Sequence, residues 1–175
     1  MPNSGDVDGV LITGVYGTGK SSLAAEIAET LERRGVRYGA IDLDWLTWFH
    51  VAELDRATAR RVHLDNVACV VRNYREIGVR HLVLAGAVRD RGEVRALEEA
   101  AEAPLRVVRL DVPLAEITRR LQPDPTSGRR DDLEVATEWL AGSVGVGIED
   151  LLVSNEGPEI EDLAALIIRW LGWDS

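Results

Sequence analysis

The 175-residue chain is poor in cysteine, in lysine and in long apolar stretches. A single cysteine cannot form an internal disulfide or a cysteine-rich zinc site, so we expect a reducing, cytoplasmic setting. No apolar run approaches the roughly 20 residues of a membrane-spanning helix, and the acidic N-terminal residues argue against a signal peptide. Cys69 lies in an apolar run, which predicts a place in the core. The length fits one domain over residues 1–175.

Positive charge is also scarce. The chain has 20 Lys and Arg against 30 Asp and Glu, which gives a net charge of −10. Nonspecific binding of nucleic acid or of an anionic membrane needs a broad basic face. We therefore expect neither of them as a partner.

Lysine is almost absent, because every basic residue except Lys20 is arginine. Lysine is normally one of the commonest residues, so its survival at one position suggests that an ammonium group is needed there. Lys20 belongs to the segment GVYGTGKS at 14–21, which matches the Walker A pattern G-x-x-x-x-G-K-[ST]. A β-branched run at 10–13 precedes it and an amphipathic pattern at 22–31 follows, which is the strand–loop–helix context that the pattern requires.

The chemistry of phosphate binding explains this spacing. Glycines let the backbone approach oxygen atoms closely, so that successive N–H groups form an anion cradle at a helix N-terminus. The lysine then reaches the β- and γ-phosphates, and the hydroxyl of Ser21 is the expected Mg²⁺ ligand. The residues predicted to bind the nucleotide here are Gly14, Tyr16, Gly17, Thr18, Gly19, Lys20, Ser21 and Ser22.

Strand and helix patterns alternate along the whole chain, which predicts a parallel α/β sheet. The predicted strands are 10–13, 37–42, 81–85, 105–110 and 151–154, and the predicted helices are 22–31, 53–77, 89–101, 113–121, 132–141 and 160–171. Ligands of such sheets bind at the carboxyl ends of the strands. The side chains expected to meet a nucleotide there are Asp42, Asp44, Arg89, Asp111 and Asn155.

With these residues in place, the chain resembles small P-loop kinases of the nucleoside-monophosphate-kinase-like group, in particular adenylylsulfate kinases, gluconate kinases and chloramphenicol phosphotransferase. The resemblance implies a three-layer α/β P-loop fold with a five-stranded parallel sheet in the order 2-3-1-4-5. It also implies ATP as phosphoryl donor, Mg²⁺, and a short arginine-bearing lid, which falls at about 122–131 in this chain.

The resemblance assigns site residues on both sides of the phosphates. Asp42-Leu43-Asp44 resembles the Asp-Gly-Asp stretch of adenylylsulfate and gluconate kinases, whose second Asp faces the acceptor, so Asp44 is favoured over Asp42 as the base. Arg89 follows strand three where nucleotide kinases place an acceptor-binding Arg, but Ala85 stands where they have an Asp. The resemblance also assigns Trp45, Trp48 and Phe49 to the acceptor, and Arg129 and Arg130 as catalytic lid arginines. It places one of the adjacent pair Arg119 and Arg120 at the nucleotide, with Arg119 chosen, while Asn155 is expected there from its position after strand five.

These assignments predict an ATP-dependent phosphotransferase whose small-molecule acceptor is nucleotide-like, adenylylsulfate-like or antibiotic-like. Lys20 and the lid arginines neutralise charge on the transferred group, and Asp44 orients the acceptor hydroxyl. The alternative is an ATP-binding regulatory module without transfer activity, which the missing acid at Ala85 keeps open. A GTP switch needs an Asn-Lys-x-Asp stretch that a chain with one lysine cannot contain. Monomer and homodimer both remain open.

Overall fold

Strands and helices alternate throughout the protein, as the sequence predicts. The computed structural model describes residues 7–121 and 127–174, with the backbone alone described over 127–130. The strands are β1 (Asp8–Thr13), β2 (Tyr38–Asp42), β3 (His81–Ala85), β4 (Leu105–Asp111) and β5 (Leu151–Ser154). The helices are α1 (Lys20–Arg33), α2 (Arg56–Glu76), α3 (Arg91–Ala101), α4 (Leu114–Leu121), α5 (Ser127–Ala141) and α6 (Ile160–Leu171), with a 3₁₀ helix at Leu43–Thr47.

The five strands form one parallel sheet in the order β2-β3-β1-β4-β5. This confirms the predicted fold class and strand order. Strand β1 lies at the centre, with Val10 opposite Val83 on one side and Arg106 on the other. Every strand therefore ends at the same edge of the sheet, where the predicted site residues follow.

Helices cover both faces of the sheet. Because side chains alternate across a strand, β1 directs Leu11 to one face and Val10 and Ile12 to the other. Val67 and Val71 of α2 pack with Leu11, together with residues of α3. Helices α1 and α6 pack on the opposite face against Val10 and Ile12. The result is the predicted three-layer arrangement.

A smaller apolar cluster holds α4 and α5 beside the loop that follows β1. It contains Val15 of the loop, Ile117 and Leu121 of α4, and Ala136 of α5. A Cβ atom on Gly17 would lie 3.0–3.2 Å from carbon atoms of Ile117 and Leu121. Gly17 therefore allows α4 to approach the loop closely.

Two expectations from the sequence need correction. Helix α5 begins at Ser127, whereas the sequence analysis starts it at residue 132. The proline- and glycine-containing run suggested a loop, but one glycine in a helix costs only about 1 kcal/mol, which the following helix-forming residues offset. Cys69 is exposed, because the face of α2 that packs on the sheet is occupied by Val67 and Val71.

In the described part of the chain, no helix is both long enough and apolar enough to span a membrane.

Candidate active site

The loop between β1 and α1 has a backbone that needs its glycines. Gly17 has φ +83° and Gly19 has φ +92°, in the left-handed region that disfavours other residues. A Cβ atom on Gly19 would lie only 2.7 Å from Nδ2 of Asn155. Thr18 is buried, and its hydroxyl donates to the main-chain oxygen of Val15 at 2.8 Å. A hydrogen bond within the loop therefore holds its backbone in a compact turn at the N-terminus of α1.

Lys20 is the first residue of α1 and is buried, with 7% of its surface exposed. Its Nζ donates to the main-chain oxygen of Val15 at 3.1 Å and lies 5.1 Å from the centre of the Tyr16 ring. Burial lowers the pKa of Lys20, and the charges of Asp44 and Asp42 act in the opposite direction. Within the described residues the ammonium has no carboxylate within 4.0 Å, so its charge is available to an anion held in the loop.

Ser21 and the two acidic residues after β2 form a connected group. The hydroxyl of Ser21 donates to Oδ2 of Asp42 at 2.6 Å. Oδ1 of Asp42 accepts from the backbone N–H of Asp44 at 3.1 Å, which caps the 3₁₀ helix. Asp42 therefore fixes the start of the segment that carries Asp44, and it places both carboxylates beside the phosphate-binding loop. Ser22, the next residue of α1, is exposed.

Asp44 is an exposed residue whose carboxyl group lies among other charged groups. Burial raises its pKa, and the negative charges of Asp42 and Asp132 raise it further. The charges of Lys20 and His63 oppose this rise. An acid whose pKa is raised toward neutrality is better suited to accept a proton near pH 7 than an ordinary Asp.

A groove of about 750 Å³ opens beside Asp44. One wall is a face of α2 whose groove-lining residues recur at helical spacing, and the opposite wall comes from the start of α3 and the segment before it. The lining residues are Tyr16, Leu43, Asp44, Thr47, Phe49, His50, Val51, Leu54, Arg56, Ala59, Arg60, His63, Leu64, Ala87, Val88, Arg89, Glu93, Ala96, Leu97 and Trp139.

The three aromatic residues predicted at the acceptor have different places. Phe49 lines the groove. Trp45 and Trp48 do not line it; their rings contact each other with centroids 4.8 Å apart, and their exposed fractions are 67% and 76%. The 3₁₀ helix turns these two rings outward. The predicted contact of all three residues with an acceptor stays a prediction.

Arg89 lines the groove, and its predicted contact with an acceptor stays a prediction. Its guanidinium is 5.5 Å from the centre of the Trp139 ring. It is the backbone N–H of Arg89 that donates to Oε2 of Glu93, at 2.8 Å. This bond fixes the chain that leads into α3 and leaves the guanidinium over the ring.

The two adjacent arginines of α4 point in different directions, and the predicted contact of Arg119 with the nucleotide stays a prediction. Arg119 is 73% exposed and binds both carboxylate oxygens of Glu116 at 2.7 Å. Arg120 turns toward the loop, where it donates to the main-chain oxygens of Gly17 and Thr18 at 3.5 and 3.4 Å. One helical step, about 100°, separates the directions of two consecutive side chains.

Asn155 is buried, and its Nδ2 donates to the main-chain oxygen of Thr18 at 2.7 Å. It touches the loop rather than open space, which makes it a support of the loop. Arg129 and Arg130 stand in the first turn of α5, but their side chains lie outside the described residues, as do residues 122–126 of the predicted lid segment 122–131. Their catalytic roles stay predictions.

The sequence analysis missed the contribution of α2 to this site. Arg56, Arg60 and His63 recur at helical spacing and all line the groove. Nδ1 of His63 is buried and has no hydrogen-bond partner among the described residues. Burial lowers the pKa of His63, while the charges of Asp44 and Glu93 raise it. The spacing was visible in the sequence, but nothing there indicated which face of α2 meets the site.

A phosphate-binding loop at the carboxyl edge of a parallel 2-3-1-4-5 sheet, with a groove on its acidic side, defines the class of P-loop small-molecule kinases. The sequence profile described as adenylylsulphate kinase matches residues 7–125. The chain belongs to this family. A search of curated proteins finds no match.

Solved structures of similar fold include several kinases. A sugar kinase from Janibacter sp. HTCC2649 has a TM-score of 0.65 at 18% identity and covers 95% of each chain. The APS kinase of Mycobacterium tuberculosis, in complex with AMPPNP and APS, has a TM-score of 0.61 at 22% identity, over 95% of this chain and 98% of that one. The tunicamycin resistance protein of Deinococcus radiodurans has a TM-score of 0.59 at 16% identity, over 95% and 96%. At these identities the likeness shows the fold.

Proposed function

We propose that this protein transfers the γ-phosphate of ATP to a hydroxyl group of a small molecule bound in the groove. The observation that carries the proposal is the juxtaposition of two parts. The buried ammonium of Lys20 stands in a glycine-rich anion cradle, and the carboxyl group of Asp44, which interacts electrostatically with Lys20, lines the groove. A donor phosphate and an acceptor hydroxyl therefore have adjacent places.

Lys20 supports transfer by stabilising charge on the phosphoryl group. Phosphoryl transfer needs positioning and charge neutralisation more than covalent help. A buried ammonium acts in a medium of low dielectric constant, where its attraction for phosphate oxygens exceeds that of an exposed one. The backbone N–H groups of the loop add further donors at the helix N-terminus.

Asp44 is the proposed proton acceptor for the attacking hydroxyl. Its carboxyl group lines the groove and interacts electrostatically with Lys20. Proton acceptance by Asp44 leaves the acceptor oxygen free to attack phosphorus, and the neutral Asp44 then loses the repulsion from Asp42. Asp42 is held by Ser21, so it is less available for this role.

Ser21 and Asp42 are the residues that would hold Mg²⁺. Their oxygen atoms lie 2.6 Å apart beside the phosphate loop. No group of three or more His, Cys, Asp or Glu side chains is gathered for a metal in the described residues. That fits Mg²⁺, which keeps several waters and is bound by one or two protein oxygens together with substrate phosphates. When bound, Mg²⁺ neutralises charge on the phosphate oxygens.

The acceptor is proposed to be nucleotide-like, adenylylsulfate-like or antibiotic-like. The groove volume of about 750 Å³ suits a ligand of that size. The Arg56 and Arg60 side chains favour an anionic group, and the Phe49 ring favours an apolar or ring-like part. The excess of acidic residues argues against a nucleic-acid partner, and the single cysteine fits a cytoplasmic setting.

The direct test is ADP release from ATP-Mg²⁺ across a panel of acceptors. The panel contains adenylylsulfate, nucleoside monophosphates, gluconate, chloramphenicol and tunicamycin. Stimulation by one compound, with loss of that stimulation in Lys20→Ala, supports the proposal. Tight ATP binding without stimulation by any compound favours the regulatory module, which the apolar Ala85 at the end of β3 would explain.

Blocking the groove tests where the acceptor binds. Ala59 lines the groove, whereas Ala57 is an exposed residue of the same helix outside it. We expect Ala59→Trp to abolish acceptor-stimulated ADP release and to leave ATP affinity within about twofold, since the two sites are separate. Ala57→Trp is the control and should keep both. Equal turnover in the two variants would place the acceptor elsewhere.

A further inference from the structure

Arg120 connects three separate parts of the fold. Its Nε donates to Glu116 of the same helix at 2.8 Å. Its Nη2 donates to the main-chain oxygen of Asn155 at 2.7 Å, and its Nη1 reaches the main-chain oxygen of Thr18 at 3.4 Å. The neighbouring Arg119 makes only the bond to Glu116 among its described contacts. Arg120 therefore ties α4 and the segment after β5 to the phosphate loop.

Asn155 completes this connection from the other side. Its side-chain Nδ2 donates to the same Thr18 carbonyl at 2.7 Å, while its own main-chain oxygen accepts from Arg120. The carbonyl of Thr18 thus accepts from two side chains. Gly19 must be a glycine for this to happen, because a Cβ atom there would collide with Nδ2.

Holding the Thr18 carbonyl in place also sets the direction of the Gly19 N–H group. The peptide bond is planar and trans, so the C=O of Thr18 and the N–H of Gly19 point in opposite directions. With the carbonyl pulled toward Asn155 and Arg120, the N–H of Gly19 is held on the other side of the loop. A preorganised donor binds an anion without the cost of ordering it first.

We propose that Arg120 and Asn155 are positioning residues that hold the Gly19 N–H toward the phosphates of the nucleotide by fixing the Thr18 carbonyl. This inference rests on the proposed function, in which the loop binds ATP. It assigns Arg120 an action through the loop and no contact with the nucleotide base. The two actions have different consequences for a ligand that has no base.

The experiment compares Arg120→Ala with the control Arg95→Ala, which removes a guanidinium at an exposed position of α3. Calorimetric titration with ATP-Mg²⁺ and with tripolyphosphate-Mg²⁺ gives both affinities for each variant. We expect Arg120→Ala to weaken both ligands by the same factor, about tenfold or more, the scale of a lost charged hydrogen bond. Arg95→Ala should stay within twofold of the parent for both. Asn155→Asp, which replaces the amide donor by a carboxylate, should resemble Arg120→Ala.

Several results would overturn the inference. A loss for ATP alone, with tripolyphosphate unchanged, would show that Arg120 contacts the base. Unchanged affinity for both ligands would show that phosphate binding by the loop does not depend on the contacts of Arg120. Should Arg120→Ala fail to fold, Asn155→Asp decides by the same comparison.

A second measurement needs no ligand and separates this inference from the proposed function. Amide ¹⁵N relaxation of the nucleotide-free protein should show a lower order parameter for Gly19 in Arg120→Ala and in Asn155→Asp, and no change in Arg95→Ala. If the parent protein binds neither ATP nor tripolyphosphate, the proposed function fails. The relaxation measurement then tests by itself whether Arg120 and Asn155 order the Gly19 amide. An unchanged order parameter of Gly19 in both Arg120→Ala and Asn155→Asp would refute the inference.

Discussion

Among single residues, Asp44 is the one whose charged surroundings bear most directly on the proposed reaction. Its carboxyl group is attracted by the positive charge of Lys20 and repelled by the negative charges of Asp42 and Asp132. Asp44→Asn keeps the shape of the side chain and removes the proton acceptor. We expect acceptor-stimulated turnover to fall by about 10²-fold or more, with ATP affinity nearly unchanged. Turnover at the parent level, measured by ADP release, would remove Asp44 from its role.

The raised pKa of Asp44 also predicts how stability depends on pH. A folded-state pKa above the unfolded value near 3.8 means that the fold favours the protonated acid. This contribution is fully present below pH 3.8 and is lost as pH rises through the folded-state pKa. Asparagine resembles the protonated form, so Asp44→Asn should gain thermal stability over the parent as pH rises from 4 to 8. A difference in melting temperature that stays constant or reverses over this range would contradict the assigned environment.

Prediction from sequence succeeded best for contiguous residues. The Walker A segment carries its whole pattern within eight positions, so the loop around Lys20 could be found without a fold. Asp42 and Asp44 could be found because β2 ends there, at the carboxyl edge of the sheet. The outward direction of Trp45 and Trp48 could not be found, because it depends on the 3₁₀ turn that Asp42 caps.

At the scale of elements, α3 shows how a cap positions the groove. Asp90 accepts from the N–H of Glu93 at 2.9 Å and begins the helix directly after Arg89. Asp90→Ala should lower the free energy of unfolding by about 1 kcal/mol, which corresponds to a melting temperature about 2–4 °C lower for a protein of this size. Arg95→Ala, at an exposed position within the same helix, is the control and should change the melting temperature little. Equal effects in a thermal scan would refute the cap.

Element boundaries and helix faces were the harder part to predict. The start of α5 was missed by five residues, because local breakers suggested a loop where later residues extend the helix. In α4, the sequence could not show that Arg120 contacts the phosphate loop while Arg119 is exposed. Which of two adjacent side chains faces the loop is set by the packing of Ile117 and Leu121 beside it, which is a tertiary contact.

At the scale of the whole molecule, the end of the sheet opposite the site is held by a separate contact. Asp8, at the start of β1, binds Nδ1 of His81 at 2.6 Å and Nε1 of Trp173 at 3.1 Å. The rings of His81 and Trp173 are 4.5 Å apart. Hydrogen bonding to His81 and Trp173 lowers the pKa of Asp8 against the effect of burial. This contact ties the C-terminal segment to the first and third strands.

Substitution of Trp173 separates stability from function. Trp173→Phe removes the bond to Asp8 and should cost about 1 kcal/mol, whereas Trp173→Ala also empties a buried position and should cost about 3–5 kcal/mol. Urea denaturation measures both values. ATP affinity of the folded variants should equal that of the parent, since the phosphate loop lies at the other edge of the sheet. Weaker ATP binding by folded Trp173→Phe would show that the two ends are coupled.

The strand order belongs to the same scale, and it was predicted through the family resemblance rather than from the periodicity of the strands. Alternating strands and helices predict a parallel sheet, but several orders of five strands satisfy that pattern. The observed order places β1 at the centre, so that the phosphate loop stands between the segments after β3 and β4. The matched family profile covers residues 7–125, which include four of the five strands.

Calorimetry on the parent protein, Lys20→Ala and Lys20→Arg measures whether the loop around Lys20 holds ATP-Mg²⁺. We expect the parent to bind ATP and Lys20→Ala to weaken binding by about tenfold or more. Arginine should not restore binding, because the buried position of Lys20 suits a compact ammonium and not a planar guanidinium. If Lys20→Ala binds ATP as tightly as the parent, the loop is not the nucleotide site and the proposed function is wrong.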